Sequence, residues 1–395
     1  MPLRDLTRPG KSPEGARRYT ADDSRRGPAL ERPARSPRVP PARAVQAPRA
    51  PASPPTTPRP FGVSPRGNQR RAGTPRGTCP LLLTRTRGGD HGRLMSQLPL
   101  SGTFTALVTP FTPDGEAVDF DALDALVEAQ IAGGVSGLVP CGTTGESPTL
   151  SEAETTAVIR RVVEAARGRV PVIAGTGSFS TKKTIEASRA ALAAGAAGVM
   201  IVMPYYSKPS QDGLREHTLA VARAVPAPIV LYNIPGRTVV DLSAETTERI
   251  CAAAPNVVAI KDASGNVFRC QELVRRLGDR LTILSGDDAL TLAMMALGAQ
   301  GVISVTSNVL PRETSAVTRR FLAGDLAGAR AAHLALLELH GLLFVEPNPA
   351  PAKAALAALG RMSAAVRLPL VPAGEATRQQ IAEAMRRLEA RREAS

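Results

Sequence analysis

The sequence lacks the features that a membrane-spanning or metal-binding protein usually requires. Its longest apolar stretches are far shorter than the roughly 20 residues that cross a bilayer, so we predict no transmembrane helix and no membrane partner. The four cysteines have no metal-binding spacing such as CxxC, and few, scattered cysteines are typical of a reducing cytosol. We therefore expect a cytoplasmic protein. The cysteines are Cys79, Cys141, Cys251 and Cys270.

The usual motifs of nucleotide, metal and triad chemistry are also missing. Neither GxGxxG nor GxxxxGKS occurs, which counts against a dinucleotide or nucleoside-triphosphate site. The histidines are scattered and none follows a predicted strand, so a metal site and a Ser-His-Asp triad are both disfavoured. We predict an activity that uses no cofactor and no metal. The histidines are His91, His217, His333 and His340.

The basic charge of the chain, formally +14, is confined to the residues before Met95. That segment holds 20 of the 49 Lys and Arg but only 6 of the 35 Asp and Glu, and the rest of the chain is electrically balanced. It also holds 17 of the 35 prolines and has no sustained apolar period. We therefore predict that residues 1–98 form a disordered tail rich in Pro and Arg.

Three explanations of this tail remain open. A transit peptide would be an amphipathic helix, which the proline density opposes. An arm for nucleic acid would need interleaved aromatic residues and a basic folded face, so no nucleic-acid partner is expected. The third explanation is a mis-assigned reading frame, with the true start near Met95 and the upstream residues not translated. The abrupt change in composition favours this third explanation.

From about residue 99, eight short runs rich in β-branched residues alternate with helical patterns. Eight units of similar size favour a closed (β/α)8 TIM barrel over residues 99–310, with an open doubly wound sheet as the alternative. Residues 311–395 are predicted to form a C-terminal helical region. The runs are FTALVTP, GLVPCG, VPVIAGT, GVMIVMP, PIVLYNIP, VVAIKDA, LTILSGD and GVISVTS.

Two of the intervening segments carry clear helix signals. In DFDALDALVEAQIAGG, five apolar residues fall on one face and Gly133–Gly134 provides the stop. In SEAETTAVIRRVVEAARG, Ser151 and Glu154 predict a capping box and Gly168 the end. The five apolar residues are Phe120, Leu123, Leu126, Val127 and Ile131.

Polar residues follow five of the predicted strands, at the barrel rim where function gathers. Lys261, at the end of VVAIK, could snorkel to water or pair with Asp262, or it could be a desolvated nucleophile. Tyr232 lies one strand away and could reach it, or could be a buried phenol with one satisfied hydrogen bond. Arg237 could cap a helix or bind an anion bidentately. A lysine, phenols, hydroxyls and an arginine are suited to imine chemistry.

The loop sequences at this rim leave similar alternatives. GTTGES could be a plain strand-to-helix turn, or its backbone N–H groups could bind a carboxylate. In PYY, Tyr205 and Tyr206 could be packing residues, but two adjacent residues of a strand cannot face the same side. One of the two phenols is therefore expected to be directed elsewhere.

An ordered set of motifs from about residue 101 to the C-terminus resembles the 4-hydroxy-tetrahydrodipicolinate (dihydrodipicolinate) synthase family. This family belongs to the pyruvate-dependent class I aldolases, which include N-acetylneuraminate lyase. The resemblance implies a Schiff-base lyase with a (β/α)8 barrel that condenses pyruvate with aspartate 4-semialdehyde in lysine and diaminopimelate biosynthesis. The motifs are GTTGES, PYYSKPSQDG, LYNIPGRT, AIKDASG, LSGDD, GVISVTSN and FVEPNPAPAK.

The resemblance also implies roles for individual residues. Lys261 would form the Schiff base with pyruvate, and Tyr232 would donate and accept protons. Thr143 would relay protons together with Tyr206, which in this family comes from the neighbouring subunit of a homotetramer. The substrate-binding residues it implies are Thr144 for the pyruvate carboxylate, the backbone of Ile303 near the keto acid, and Arg237 for the carboxylate of the semialdehyde.

Two competing functions can be stated. A sister aldolase or dehydratase acting on a sugar-derived 2-keto acid would share Lys261 and Tyr232, but a polyol substrate calls for neutral groups where Arg237 stands. A basic nucleic-acid-binding protein built on a barrel is opposed by the balanced charge after Met95. The sequence therefore favours the synthase.

Many members of the family are inhibited by free lysine at a subunit interface, and the resemblance places corresponding positions here. Tyr205 and Ser147 keep the outline of that site, but Lys183 stands where a glutamate would receive the ligand ammonium. Phe179 likewise replaces a polar partner. We therefore predict that lysine does not inhibit this protein, although Glu152, beside Thr155 on the following helix, could restore some attraction.

Overall fold

The computed structural model of the chain describes residue 98 and residues 100–393. Its eight strands are all parallel, and neighbours are hydrogen-bonded in the order β2-β1-β8-β7-β6-β5-β4-β3. A parallel bridge between Leu138 and Val172 joins the two end strands, which closes the barrel. The strands are β1 (Gly102–Ala106), β2 (Gly137–Val139), β3 (Ile173–Gly175), β4 (Gly198–Val202), β5 (Ile229–Asn233), β6 (Val257–Asp262), β7 (Thr282–Ser285) and β8 (Gly301–Ser304).

Helices follow the strands and cover the outside of the barrel. This confirms the predicted closed (β/α)8 barrel with helices after it. The helices are α1 (Phe120–Ala132), α2 (Glu152–Ala166), α3 (Thr181–Ala193), α4 (Gln211–Ala224), α5 (Pro235–Thr238), α6 (Ala244–Ala253), α7 (Val267–Leu277), α8 (Thr291–Ala296), α9 (Pro311–Leu322), α10 (Leu326–Leu342), α11 (Ala350–Ala358) and α12 (Glu375–Glu393).

The strands carry two separate apolar layers because alternate residues face opposite sides. One side packs against the helices in a large cluster, and the other side fills the barrel interior. This arrangement explains why the strands are nearly continuous apolar runs rather than alternating ones. The interior cluster consists of Leu100, Phe104, Ala106, Val139, Ile173, Met200, Val230, Tyr232, Ala259, Leu284 and Ile303.

The two helices with clear sequence signals form as predicted, with two differences. The capping box of Ser151 and Glu154 begins α2, but the helix ends at Ala166 and Arg167 adopts the left-handed conformation before Gly168. In α1, Gln130 is fully buried among the apolar residues. Its side chain accepts a hydrogen bond from Thr105 and donates one to the backbone of Asn308, so burial leaves no polar group unsatisfied.

The C-terminal helices lie beyond β8. Helix α9 packs on β1 and α1, α10 packs on α9, and α12 packs on α10 and α11. Between residues 98 and 393, no helix is both long and apolar enough to cross a membrane. The predicted disordered tail lies outside the described residues, except for its last residue, and the division into a barrel and a C-terminal region at residue 310 stays a prediction.

Candidate active site

Tyr232 and Lys261 are neighbours in register on β5 and β6, near the carboxyl ends of both strands. Both side chains point into the barrel, where each is only 4% exposed. The Lys261 Nζ atom lies 4.3 Å from the centroid of the Tyr232 ring. The two residues that the sequence singled out first are therefore in contact inside the barrel.

Lys261 has no carboxylate partner among the residues that the structure describes. Asp262 faces the opposite side of β6, where its carboxylate accepts a hydrogen bond of 2.8 Å from Nε of buried Arg269 on α7. In this structure Lys261 therefore neither snorkels to water nor pairs with Asp262. Across residues 98 and 100–393, no hydrogen bond or ion pair joins Nζ to another side chain. A buried amine without a partner is available to react.

The loop that follows β2 carries Thr143 and Thr144. Its turn is closed by backbone hydrogen bonds from Gly145 to Gly142 and from Glu146 to Thr143, each 3.1 Å long. Thr144 is buried and Thr143 is half-buried. The Thr144 hydroxyl accepts a hydrogen bond of 3.0 Å from the side-chain amide of Asn348, which lies in the segment between α10 and α11.

A buried ion pair lies directly beneath this loop. Glu146 and Lys353 are joined by a contact of 2.6 Å between Oε1 and Nζ, and both side chains are 0% exposed. The second carboxylate oxygen accepts a hydrogen bond of 2.9 Å from the backbone of Arg367. Burial lowers the pKa of Lys353 to about 8, against the opposite influence of Glu146.

Left-handed backbone conformations of residues other than glycine cluster at this rim. Six such residues occur in the described part of the chain, and five of them lie on loops that follow β2, β4 or β5. Conformations of this kind cost free energy and concentrate at functional sites. The five residues are Cys141, Glu146, Tyr206, Lys208 and Val239.

Tyr205 and Tyr206 lie in the loop beyond β4, not in the strand itself. Tyr205 packs edge-on against Phe179, with ring centroids 5.7 Å apart, and Lys183 Nζ lies 5.8 Å from the centre of the Phe179 ring. Tyr206 is 92% exposed, with a φ of 69°. The two phenols therefore do point to different surroundings, as the sequence suggested.

The remaining predicted residues lie on two further strand ends. Arg237 is exposed on the single turn of α5, and its guanidinium bonds to no other described residue. Ile303 lies on β8 beside Phe104 of β1, with its side chain in the interior cluster. The structure thus brings Lys261 and Tyr232 into contact and leaves Arg237 free at the rim.

Sequence reasoning gave no role to three residues that hold the site together, namely Glu146, Asn348 and Lys353. All three occur inside the motifs GTTGES and FVEPNPAPAK, but these motifs are about 200 residues apart. A single lysine within the apolar segment APAKAALAALG was the available signal, because a buried charge in such a segment needs a partner.

Comparisons with known proteins all indicate one family. A family model described as the dihydrodipicolinate synthetase family matches residues 99–388. The 4-hydroxy-tetrahydrodipicolinate synthase of Thermomicrobium roseum is 51% identical over 286 residues, which are 72% of this chain and 94% of that protein.

Solved structures resemble the chain equally well. The crystal structure of dihydrodipicolinate synthase from Aquifex aeolicus superposes with a TM-score of 0.72 at 43% identity, covering 73% of this chain and 98% of that one. A structure described as the first monomeric dihydrodipicolinate synthase variant has a TM-score of 0.72 at 38% identity, covering 75% of this chain and 97% of that one. Each of these matches leaves about a quarter of the present chain uncovered.

Proposed function

The chain belongs to the dihydrodipicolinate synthetase family, and we propose that Lys261 performs the family's reaction as a Schiff-base-forming nucleophile. That reaction condenses pyruvate with L-aspartate 4-semialdehyde to 4-hydroxy-tetrahydrodipicolinate. The protein is therefore a lyase of lysine and diaminopimelate biosynthesis. The observation that carries the proposal is the buried Lys261 amine, which lies 4.3 Å from the Tyr232 ring centroid and has no carboxylate partner in the described part of the chain.

The proposed condensation begins with this amine. The neutral amine of Lys261 attacks the keto carbon of pyruvate, and loss of water gives an imine. Protonation of the imine nitrogen and loss of a methyl proton give an enamine, whose carbon attacks the aldehyde of the semialdehyde, and the aldehyde oxygen takes up a proton. The amino group of the semialdehyde then attacks the imine carbon, which closes the ring and releases the amine of Lys261. Tyr232 donates and accepts the protons, and the hydroxyl of Thr143 with Tyr206 of a neighbouring subunit relays them.

The carboxylates of the two substrates would meet different parts of the rim. The Thr144 hydroxyl and the backbone N–H groups of its loop bind the pyruvate carboxylate, because such donors suit an anion. The backbone of Ile303 lies near the bound keto acid. Arg237 binds the carboxylate of the semialdehyde, and the absence of any partner for its guanidinium among the described side chains supports this role.

Arg237→Ala is expected to weaken the use of aspartate semialdehyde much more than Schiff-base formation with pyruvate. Loss of a charge-assisted hydrogen bond costs on the order of 1.5–3 kcal/mol, or roughly one to two decades in kcat/KM for the semialdehyde. Steady-state kinetics with each substrate varied in turn measures the difference. Arg237→Lys should be intermediate, since it keeps the charge but loses bidentate geometry.

Arg223→Ala is the matched control for this prediction. Arg223 lies in the last turn of α4, at the opposite end of the barrel from the carboxyl rim. Its substitution should leave kcat/KM unchanged for both pyruvate and the semialdehyde. Equal losses for both substrates in Arg237→Ala would mean that Arg237 supports the structure of the rim and does not bind the semialdehyde.

The sister aldolase or dehydratase acting on a sugar-derived 2-keto acid is not favoured. The curated relatives that match the chain at about half identity are named 4-hydroxy-tetrahydrodipicolinate synthase. Arg237 at the rim also favours an anionic second substrate over a polyol.

Assembly and location form a further part of the proposal. The proposed assembly is a homo-oligomer, and the family pattern favours a tetramer. Tyr206 is 92% exposed on a left-handed backbone, so its phenol is free to contact a neighbouring subunit. A cytoplasmic location is supported by Cys141, Cys251 and Cys270, which are free thiols buried in the structure. Burial raises the pKa of the Cys141 thiol to about 12, which keeps it unreactive.

Millimolar lysine is expected to leave the activity essentially unchanged. Phe179 packs against Tyr205 and Lys183 Nζ lies 5.8 Å from the centre of the Phe179 ring, so a ligand ammonium at this position would meet an apolar ring and a like charge. Two like charges a few ångströms apart repel by about 1 kcal/mol even in water. A steady-state assay with added lysine checks the prediction. Clear inhibition that disappears in Tyr205→Ala would contradict it.

A further inference from the structure

The loop that carries Thr143 and Thr144 ends in a residue whose backbone is strained. Glu146 has a φ of 54° and a ψ of 36°, a left-handed conformation that residues with a side chain rarely adopt. Such a conformation persists only where the surrounding contacts over-determine it. Something must therefore hold Glu146 in place, and the contacts of its side chain identify what does so.

The Glu146 side chain is directed inward, where its carboxylate forms one ion pair and accepts one hydrogen bond. One oxygen lies 2.6 Å from Lys353 Nζ on α11, and the other accepts a hydrogen bond from the backbone of Arg367. Lys353 is held equally firmly, since Nζ also donates to the Ala365 carbonyl at 2.8 Å and lies 3.9 Å from the centroid of the Phe111 ring. The ammonium thus contacts a carboxylate, a carbonyl and an aromatic face.

The segment that contains Lys353 touches the same loop at a second point. Asn348, which lies just before α11, donates its hydrogen bond to the Thr144 hydroxyl. Residues 348–353 therefore bind the loop on both sides of Gly145, through Thr144 and through Glu146. A short loop fixed at the residues on either side of one glycine has little freedom to reorient its N–H groups and hydroxyls.

We propose that the buried Glu146–Lys353 ion pair is a positioning device of the active site, which holds Thr143 and Thr144 in the conformation that binds pyruvate. The pair acts through the loop and does not touch the substrate. This inference rests on the proposed roles of Thr143 and Thr144. The pair has a second consequence, because an unpaired Glu146 carboxylate two residues from Thr144 would repel the carboxylate of pyruvate, and Lys353 cancels that charge.

A merely structural ion pair would behave differently from a positioning pair. Replacing a buried ion pair by neutral residues of similar shape is often harmless to stability, whereas removing one partner leaves a buried charge. The double variant Glu146→Gln with Lys353→Met therefore separates the two roles. The double variant removes both charges of the pair, so neither is left unpaired and the protein should fold. It loses the link between α11 and the loop.

The experiment compares this double variant with the wild-type chain in steady-state kinetics, with the melting temperature as a readout of folding. We expect the KM for pyruvate to rise about tenfold or more while the KM for the semialdehyde changes less than about twofold. The control is Glu248→Gln with Arg276→Met, which removes an ion pair of 2.8 Å between α6 and α7. This control should leave both KM values unchanged.

A wild-type KM for pyruvate in the folded double variant overturns the inference. If the double variant does not fold, Glu146→Gln alone is measured in the same assay, and an unchanged KM for pyruvate overturns the inference. Burial lowers the pKa of Lys353 to about 8, and the substitution removes the carboxylate that raises it, so Lys353 can lose its charge in this variant. Thr144→Val distinguishes this inference from the proposed function. An unchanged pyruvate KM in Thr144→Val refutes the role of Thr144 itself, whereas a raised KM there with a normal double variant refutes only the positioning role of the pair.

Discussion

Lys261→Ala is expected to abolish turnover while leaving the fold intact. The variant removes the buried amine that lies 4.3 Å from the centroid of the Tyr232 ring. Loss of a covalent nucleophile lowers kcat by about 10⁴-fold or more, because the chemistry of the covalent pathway has no substitute. Folding should survive, since Lys261 makes no hydrogen bond or ion pair that the structure describes.

A coupled steady-state assay for the condensation product measures this loss, with circular dichroism as the check on folding. Lys182→Ala is the matched control, because Lys182 is a mostly exposed lysine on α3 that forms a weak ion pair of 3.9 Å with Glu186. It should retain full activity. Substantial activity in a folded Lys261→Ala protein would mean that another residue is the nucleophile.

Tyr232→Phe is expected to lower kcat by about 10²- to 10⁴-fold, which is the usual contribution of a general acid or base. The substitution keeps the aromatic ring that lies 4.3 Å from Lys261 Nζ and that belongs to the interior cluster, so packing is preserved. Only the hydroxyl is lost. Because a proton carrier acts in several steps, both kcat and kcat/KM should fall while the protein remains as stable as the wild type.

Tyr205→Phe provides the matched control, since it removes a phenol hydroxyl from the packing partner of Phe179. Its kcat should match that of the wild type. A kcat in Tyr232→Phe within about twofold of the wild type would assign Tyr232 a packing role only, and would leave proton transfer to the hydroxyl of Thr143 or to water.

The barrel was accessible from the sequence because its signals are local. Eight apolar runs, each bounded by turn residues, appear as eight strands, and the capping box of Ser151 and Glu154 appears at the start of α2. The contact of Tyr232 with Lys261 also follows from topology, since consecutive strands of a parallel barrel are neighbours. Patterns within about 20 residues were enough for these conclusions.

The contacts that hold the rim together were not accessible, because they join residues far apart in the chain. Glu146 and Lys353 are separated by about 200 positions, and the sequence around either residue does not predict which residue pairs with it. The burial of Gln130 could not be predicted for the same reason, because its hydrogen-bond partners, Thr105 and Asn308, come from two other elements. A buried polar residue is explained only when the fold supplies its partner.

The interpretation of Asp262 illustrates the limit on a smaller scale. Adjacent charges in sequence suggest an ion pair, but side chains alternate along a strand and place Lys261 and Asp262 on opposite faces of β6. Asp262 pairs instead with Arg269 of the following helix, at 2.8 Å. Strand geometry therefore separates Lys261, the proposed nucleophile, from the carboxylate that is next to it in sequence.

Borohydride reduction in the presence of pyruvate, followed by mass mapping of the peptides, tests the central claim most directly. The imine formed from an amine and pyruvate is reduced to a stable secondary amine, which marks the residue that formed it. The chain has six lysines, and we expect the modification on Lys261 alone, with none when pyruvate is omitted. Modification of Lys353 or of any other lysine in place of Lys261, or no modification in an active preparation, would contradict the account.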